Sequence, residues 1–110
     1  MIVLILMPVL QTRANLNYNY YYAPDSLIYL VRGREYYKIG ASTHLRKRMT
    51  ELQIGSEYPL TLVTTVNTES PKRVERFLHV FFAVNKIRGE WFDLSERDIA
   101  LFKCLTCLIS

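Results

Sequence analysis

A chain of 110 residues suits one domain, long enough for a modest core and too short for two. Half the residues are hydrophobic and 22% are charged, a balance that excludes a disordered chain. The formal net charge of +4 favours a polyanionic partner without requiring one, so the placement of the cations matters more than their sum.

The chain opens on MIVLILMPVL, an apolar run broken by Pro8. It lacks the basic start and small-residue cleavage site of a secretory signal. It also falls short of the about 20 apolar residues that a spanning helix needs, so no membrane contact is expected. An extra edge strand or a leader is the reading there, and the Asn/Tyr-rich NLNYNYYY of residues 15–22 then meets the turn signal Pro24-Asp25. The predicted division is residues 1–24 as apolar leader and linker, and residues 25–110 as the folded domain.

Leu27 to Met49, LIYLVRGREYYKIGASTHLRKRM, reads as a strand, a tight turn, a second strand and a step into a basic helix. Ile28 and Leu30 fall on one face and Tyr29 and Val31 on the other, because side chains alternate with period two. Gly33-Arg34 is the expected two-residue turn, with glycine at the first central position of a primed hairpin loop. That turn sets Ile28 opposite Ile39, Leu30 opposite Tyr37, Tyr29 opposite Lys38 and Val31 opposite Tyr36. The helix is expected to open on Ser42 or Thr43 and to end near Gly55. Leu45, Met49 and Leu52 recur at i, i+4 and i+7, and Arg48 stands where a leucine would complete the stripe. A partly buried guanidinium cannot shed its proton, so it needs an anion from the fold or from a ligand phosphate.

Tyr58-Pro59 marks a turn, and LTLVTTV from Leu60 to Val66 is a β-branched run that should join the hairpin as a third antiparallel strand. Ser70-Pro71 starts a helix whose core face is expected at Val74, Phe77, Leu78 and Phe81. Glu75 lies beside that face, one turn before His79 and among Lys72, Arg73 and Arg76. Glu90 to Leu94 reads as a short strand or extended segment that docks Trp91 on the core. Ser95 with Asp98 approximates a capping box for a last helix with Ile99, Phe102 and Leu105 facing inward. Cys104 and Cys107 form a single C-x-x-C without histidines at finger spacing, so two free thiols are expected rather than zinc. The fold predicted is a small α/β (α+β) domain, a three-stranded antiparallel sheet flanked by helices.

These residues together resemble the GIY-YIG nucleases, and within them a phage-type branch with YKIG in place of YIG. Ile28-Tyr29-Leu30 matches the first half-motif and Lys38-Ile39-Gly40 the second, while Arg48 lies at the spacing of the family's helix arginine. Glu75 matches its metal-binding glutamate, and Glu75 with His79 and then Gly89-Glu90-Trp91-Phe92 looks like the hallmark of this branch. The resemblance runs from about Leu27 to Leu94. It implies a metal-dependent endonuclease acting on DNA, with Tyr29 as general base, Arg48 on the phosphate and Glu75 holding one Mg²⁺ or Mn²⁺ ion. An intracellular location is expected.

Lys38 occupies the second tyrosine position of the wider family, and Tyr37 points to the opposite face. The expected register gives Lys38 a role, because an ammonium opposite Tyr29 would lower the phenol's pKa and favour the base form. Tyr37 and His79 are candidate supporting residues. Arg46 and Lys47 on the first helix, Lys72, Arg73 and Arg76 on the second, and Lys86 and Arg88 near the last strand are candidate contacts to a nucleic-acid backbone. Structural readings stand beside these. Tyr29 and Tyr37 would be ordinary strand tyrosines, Arg48 and Glu75 would pair with each other, His79 would be packed or bonded to Glu75, and Glu90 would close the fold by orienting a basic side chain. The corresponding alternative function is a catalytically inactive nucleic-acid-binding module; an anchoring or protein-interaction element built on the apolar leader is a third.

Overall fold

The computed structural model describes residues 26–109, so the readings of residues 1–24 as leader and linker lie outside the described residues. Alternating apolar positions build a hairpin from β1 (Leu27–Gly33) and β2 (Tyr36–Ser42). The β-branched run builds β3 (Leu60–Asn67), which pairs antiparallel with β1 as expected. Between them lies α1 (Leu45–Ile54), and after β3 come α2 (Pro71–Phe81), a 3-10 turn at Ala83–Asn85, β4 (Lys86–Arg88), β5 (Trp91–Phe92) and α3 (Glu96–Ile109).

Among the described residues the sheet has five strands where three were expected, in the order β3-β1-β2-β5-β4 with every pair antiparallel. The two additional strands are three and two residues long, too short to show any alternation. They reverse at Gly89, whose φ of 57° is open to glycine without strain. The described residues therefore form a small α+β domain with one antiparallel sheet and three α-helices.

The first hairpin turns at Arg34-Glu35 rather than Gly33-Arg34, and Arg34 takes the positive φ of 59° that a tight hairpin demands. Packing explains the shift. A Cβ on Gly33 would lie 2.9 Å from Leu60 Cδ2 and 3.0 Å from Trp91 Cη2, so the glycine is needed inside the strand. The corrected register sets Ile28 opposite Ala41, Tyr29 opposite Gly40, Leu30 opposite Ile39 and Val31 opposite Lys38. Each partner has moved by two positions, and every side chain keeps its expected face.

The two faces are covered by different helices. Ile28, Leu30, Ile39 and Phe92 meet α2 through Val74 and Leu78, the following Phe82, and α3 through Phe102. On the other side Leu27, Tyr29 and Val31 meet Leu45 and Met49 of α1, with Leu60 and Leu62 completing that cluster. The expected inward set of α2 is corrected here, because Phe77 and Phe81 are each 43% exposed and stack on one another with ring centroids 6.0 Å apart. The helix is turned so that Val74, Leu78 and Phe82 face the sheet, which carries Glu75 and His79 to the flank of the buried stripe.

Helix ends follow the local chemistry. α1 begins at Leu45 because β2 runs on through Ser42, whose Oγ accepts the His44 backbone N–H at 2.9 Å. Within α1, Gln53 is buried on the apolar stripe: its Oε1 accepts the Leu60 N–H at 2.9 Å and its Nε2 donates to the Tyr58 carbonyl at 3.0 Å. Those bonds fix the path from α1 into β3. The capping box of α3 forms as expected, with the Asp98 N–H donating to Ser95 Oγ at 3.1 Å and the Ser95 N–H to Asp98 Oδ2 at 2.9 Å. Cys104 and Cys107 are exposed free thiols.

Candidate active site

The close approach of one side chain to one glycine organises the site. Tyr29 stands directly opposite Gly40, and a Cβ on Gly40 would overlap both the ring and the oxygen of the phenol. The ring therefore lies across β2 at the only kind of residue that leaves room for it. Arg48, projecting from α1 toward the same face, donates from Nε to the phenol oxygen at 3.3 Å. Its Nη1 lies 3.5 Å from Glu51 Oε1, so the anion that the guanidinium requires comes from its own helix.

The outer edge of β2 is where the two sides of the sheet meet. β5 pairs with β2 only at Tyr37 and Lys38, and the Ile39 N–H donates to the Glu90 carbonyl at 3.2 Å just beyond them. In an antiparallel strand the N–H and C=O of one residue point the same way, so the Ile39 carbonyl also faces this edge, past the end of β5. His79 fills the place of the missing strand by donating from Nε2 to that carbonyl at 2.9 Å. Its ring is held edge-on against Phe92, centroids 5.0 Å apart. Glu75, one turn earlier on α2, has its Oε2 4.0 Å from the same His79 nitrogen.

Electrostatics tie these groups together. Burial pushes the Tyr29 phenol above its ordinary value of 10.0; Arg48 opposes this through its hydrogen bond and charge, while Glu90 and Glu75 push the phenol further up. The same phenol bond, against some desolvation, raises the Arg48 guanidinium above its usual value. Burial first and the Glu90 charge second raise the Glu75 carboxyl above 4.5, with His79, Lys72 and Lys38 pulling the other way. The Tyr29 phenol thus feels the Arg48 guanidinium first and the Glu90 and Glu75 carboxylates after it, the last from a helix on the opposite face of the sheet.

Lys38 takes a different place from the one its sequence position suggested. It stands opposite Val31, its Nζ is 3.0 Å from Glu90 Oε1, and the same nitrogen lies 5.6 Å from the centroid of the Trp91 ring. The cation on the phenol is Arg48, and the phenol's pKa is raised rather than lowered, so the expected Lys38 to Tyr29 coupling is corrected on both counts. Glu90 does orient a basic side chain, as its structural reading had it. Arg48 pairs with Tyr29 and Glu51 rather than with Glu75. Tyr37 packs with the apolar cluster on the α2 and α3 side, away from the phenol of Tyr29.

Lys72, Arg76 and Lys86 line an open cleft of about 370 Å³ together with Glu75, His79 and Glu90. Lys72, Glu75, Arg76 and His79 share one side of α2 by their spacing of three and four. Arg73 is exposed outside this cleft, as are Arg46 and Lys47 on α1, and Arg88 lines a separate groove. The cations are thus only partly gathered. Sequence reasoning missed the buried Gln53 and the Arg48–Glu51 pair; a glutamine four residues after Met49 on the apolar stripe was the available sign of the first.

Among the described residues no group of three or more His, Cys, Asp or Glu side chains is close enough to hold a metal ion. Glu75 fits the other mode, in which a hard cation takes one or two carboxylates and completes its shell with water and substrate phosphate. The repulsion between Glu75 and Glu90 is what a bound cation would relieve. No helix among the described residues is long and apolar enough to cross a membrane.

Fold and site together define a small α+β domain whose cleft mixes carboxylates with lysine, arginine and histidine, a set of groups suited to phosphate esters. The chain belongs to the T5orf172 domain family, a phage-associated domain of the nuclease type, whose sequence profile matches residues 18–105. No curated protein and no solved structure gives a significant match to the chain.

Proposed function

We propose that the domain is a metal-dependent endonuclease of the GIY-YIG kind, hydrolysing phosphodiester bonds of DNA. The observation that carries this reading is the Arg48 to Tyr29 bond of 3.3 Å against β2, with His79 and its neighbour Glu75 at the edge of the same strand beside a cleft lined by Lys72, Arg76 and Lys86. Membership of a nuclease-type family supports it.

Glu75 would hold Mg²⁺ or Mn²⁺, with Glu90 as its neighbour, and the ion would supply stabilisation of negative charge on the phosphoryl oxygens. Tyr29 takes the proton of the attacking water. Arg48 holds the phenol oxygen through Nε, which favours the phenolate, and the same guanidinium offers a fork to a phosphate oxygen. Lys38 acts next to the scissile phosphate, exchanging Glu90 for a phosphate oxygen when substrate arrives. His79 holds the edge of β2 and, with it, the position of Glu75 one turn away. Lys72, Arg76 and Lys86 guide the backbone into the cleft, and Arg46, Lys47, Arg73 and Arg88 extend the attraction outside it.

Two observations favour a second reading, a nucleic-acid-binding module without catalysis: burial holds the Tyr29 phenol above its ordinary pKa, and the second tyrosine position is a lysine committed to Glu90. Supercoiled plasmid with Mg²⁺ or Mn²⁺ separates the two. The proposal expects nicking that Glu75→Ala and Tyr29→Phe each reduce by at least about 100-fold. Salt-sensitive binding without nicking favours the second reading, and binding that does not weaken with salt argues against a phosphate track altogether.

A further inference from the structure

A second and larger groove, about 730 Å³, lies between the tip of the first hairpin, the C-terminal end of α1 and β4, and its lining shares the β4–β5 hairpin with that of the cleft. Its lining sets three aromatic rings and two arginines beside Leu52, Leu60 and Ile87. Tyr36 and Tyr58 are 37% and 42% exposed, Trp91 is half-buried, and Arg34 and Arg88 are both exposed. The Arg34 guanidinium already lies over the Tyr58 ring, 4.3 Å from its centroid. Two acids share the groove; Glu51 is paired with Arg48, which leaves Glu57 against the two arginines.

Two relays of contacts link this groove to the candidate site. Trp91 sits beneath Lys38, whose partner Glu90 lines the cleft, and Glu51 holds Arg48, which holds the phenol of Tyr29. The groove's Leu52, Leu60 and Trp91 belong to the same apolar cluster as Tyr29, so groove and phenol lie on one side of the sheet. Exposed tyrosine rings can stack on any base, and arginine forks serve both phosphates and ring faces, but a paired base keeps its faces hidden in the helical stack. Rigid duplex would use the arginines alone.

We propose that the groove binds unpaired nucleotides of the strand being cut, so that the substrate is DNA carrying a single-stranded stretch beside the scissile phosphate. This rests on the endonuclease reading for the position of the phosphate, while the groove's own chemistry, stacking with arginine support, is tested separately.

Trp91 is the single tryptophan of the chain, so its fluorescence reports on the groove directly. In the metal-free full chain, an oligothymidylate should quench Trp91 emission, whereas heparin, a polyanion without bases, should not. Tyr58→Ala should lower the preference for single strand over blunt duplex of equal length roughly tenfold, and Tyr58→Phe, which keeps the ring, should retain it. Unchanged Trp91 emission with oligothymidylate, equal quenching by heparin, or an intact preference in Tyr58→Ala would each overturn the proposal. Plasmid nicking that depends on Glu75 without any quenching would remove the groove and leave the endonuclease; quenching without nicking would do the reverse.

Discussion

The two faces of the sheet use the same strands for different ends. On the α2 and α3 side, Ile28, Leu30, Ile39, Phe92 and Phe102 are all fully buried and apolar, and their neighbours come from both helices. On the α1 side the same strands bury a phenol, a half-aliphatic ammonium and a glycine left bare to admit the phenol, while the helix above contributes Arg48 where a leucine would pack. Both faces bury an apolar cluster, but polar groups are set into the strands themselves only on the second, while the first places Glu75 and His79 on its helix, at the edge of β2 where β5 stops short.

If that division is right, the largest loss of stability comes from the apolar face. Phe102→Ala should cost about 3–5 kcal/mol in urea denaturation, because it empties a site packed by Phe82 and its neighbours. A loss below about 1 kcal/mol would mean that α3 is peripheral.

Gly40→Ala probes the other face. The added methyl collides with the Tyr29 ring, so about 1–3 kcal/mol of destabilisation is expected together with loss of any Tyr29-dependent cleavage. Retention of full stability and activity would show that the phenol has another position to occupy.

The smallest effect is alkaline. Because burial raises the Tyr29 pKa above 10.0, the folded state holds this proton more tightly than the unfolded chain does. The resulting contribution to stability is complete below the unfolded value and is lost as pH rises through the folded one. Urea midpoints measured from about pH 9 to pH 12 should therefore fall with pH, and fall less steeply in Tyr29→Phe than in the parent. A steeper fall in the variant would reverse the sign argued here.

Much of this division was legible in the residues. Alternation assigned Ile28 and Leu30 to one side and Tyr29 to the other, and survived a turn misplaced at Gly33 because a slip of two positions leaves the faces unchanged. The turn was misplaced because a glycine wanted for packing against Leu60 and Trp91 looks the same in sequence as one wanted for its φ. In α2 two overlapping stripes competed, one through Phe77 and Phe81 and one through Val74, Leu78 and Phe82, and only the sheet decides between them. β4 and β5 are too short to leave a period. The Lys38–Glu90 pair joins strands that become neighbours through that unforeseen hairpin, so the lysine's partner was out of reach of local reasoning.

A double-mutant cycle on single-turnover cleavage, combining Tyr29→Phe with Glu75→Gln, tests whether groups from the two faces serve one reaction. Shared work on a single phosphodiester predicts that each change alone causes a large loss and that the pair is little slower than the worse single variant. Losses that simply multiply, or a Tyr29→Phe protein that cleaves at the parental rate, would contradict the account.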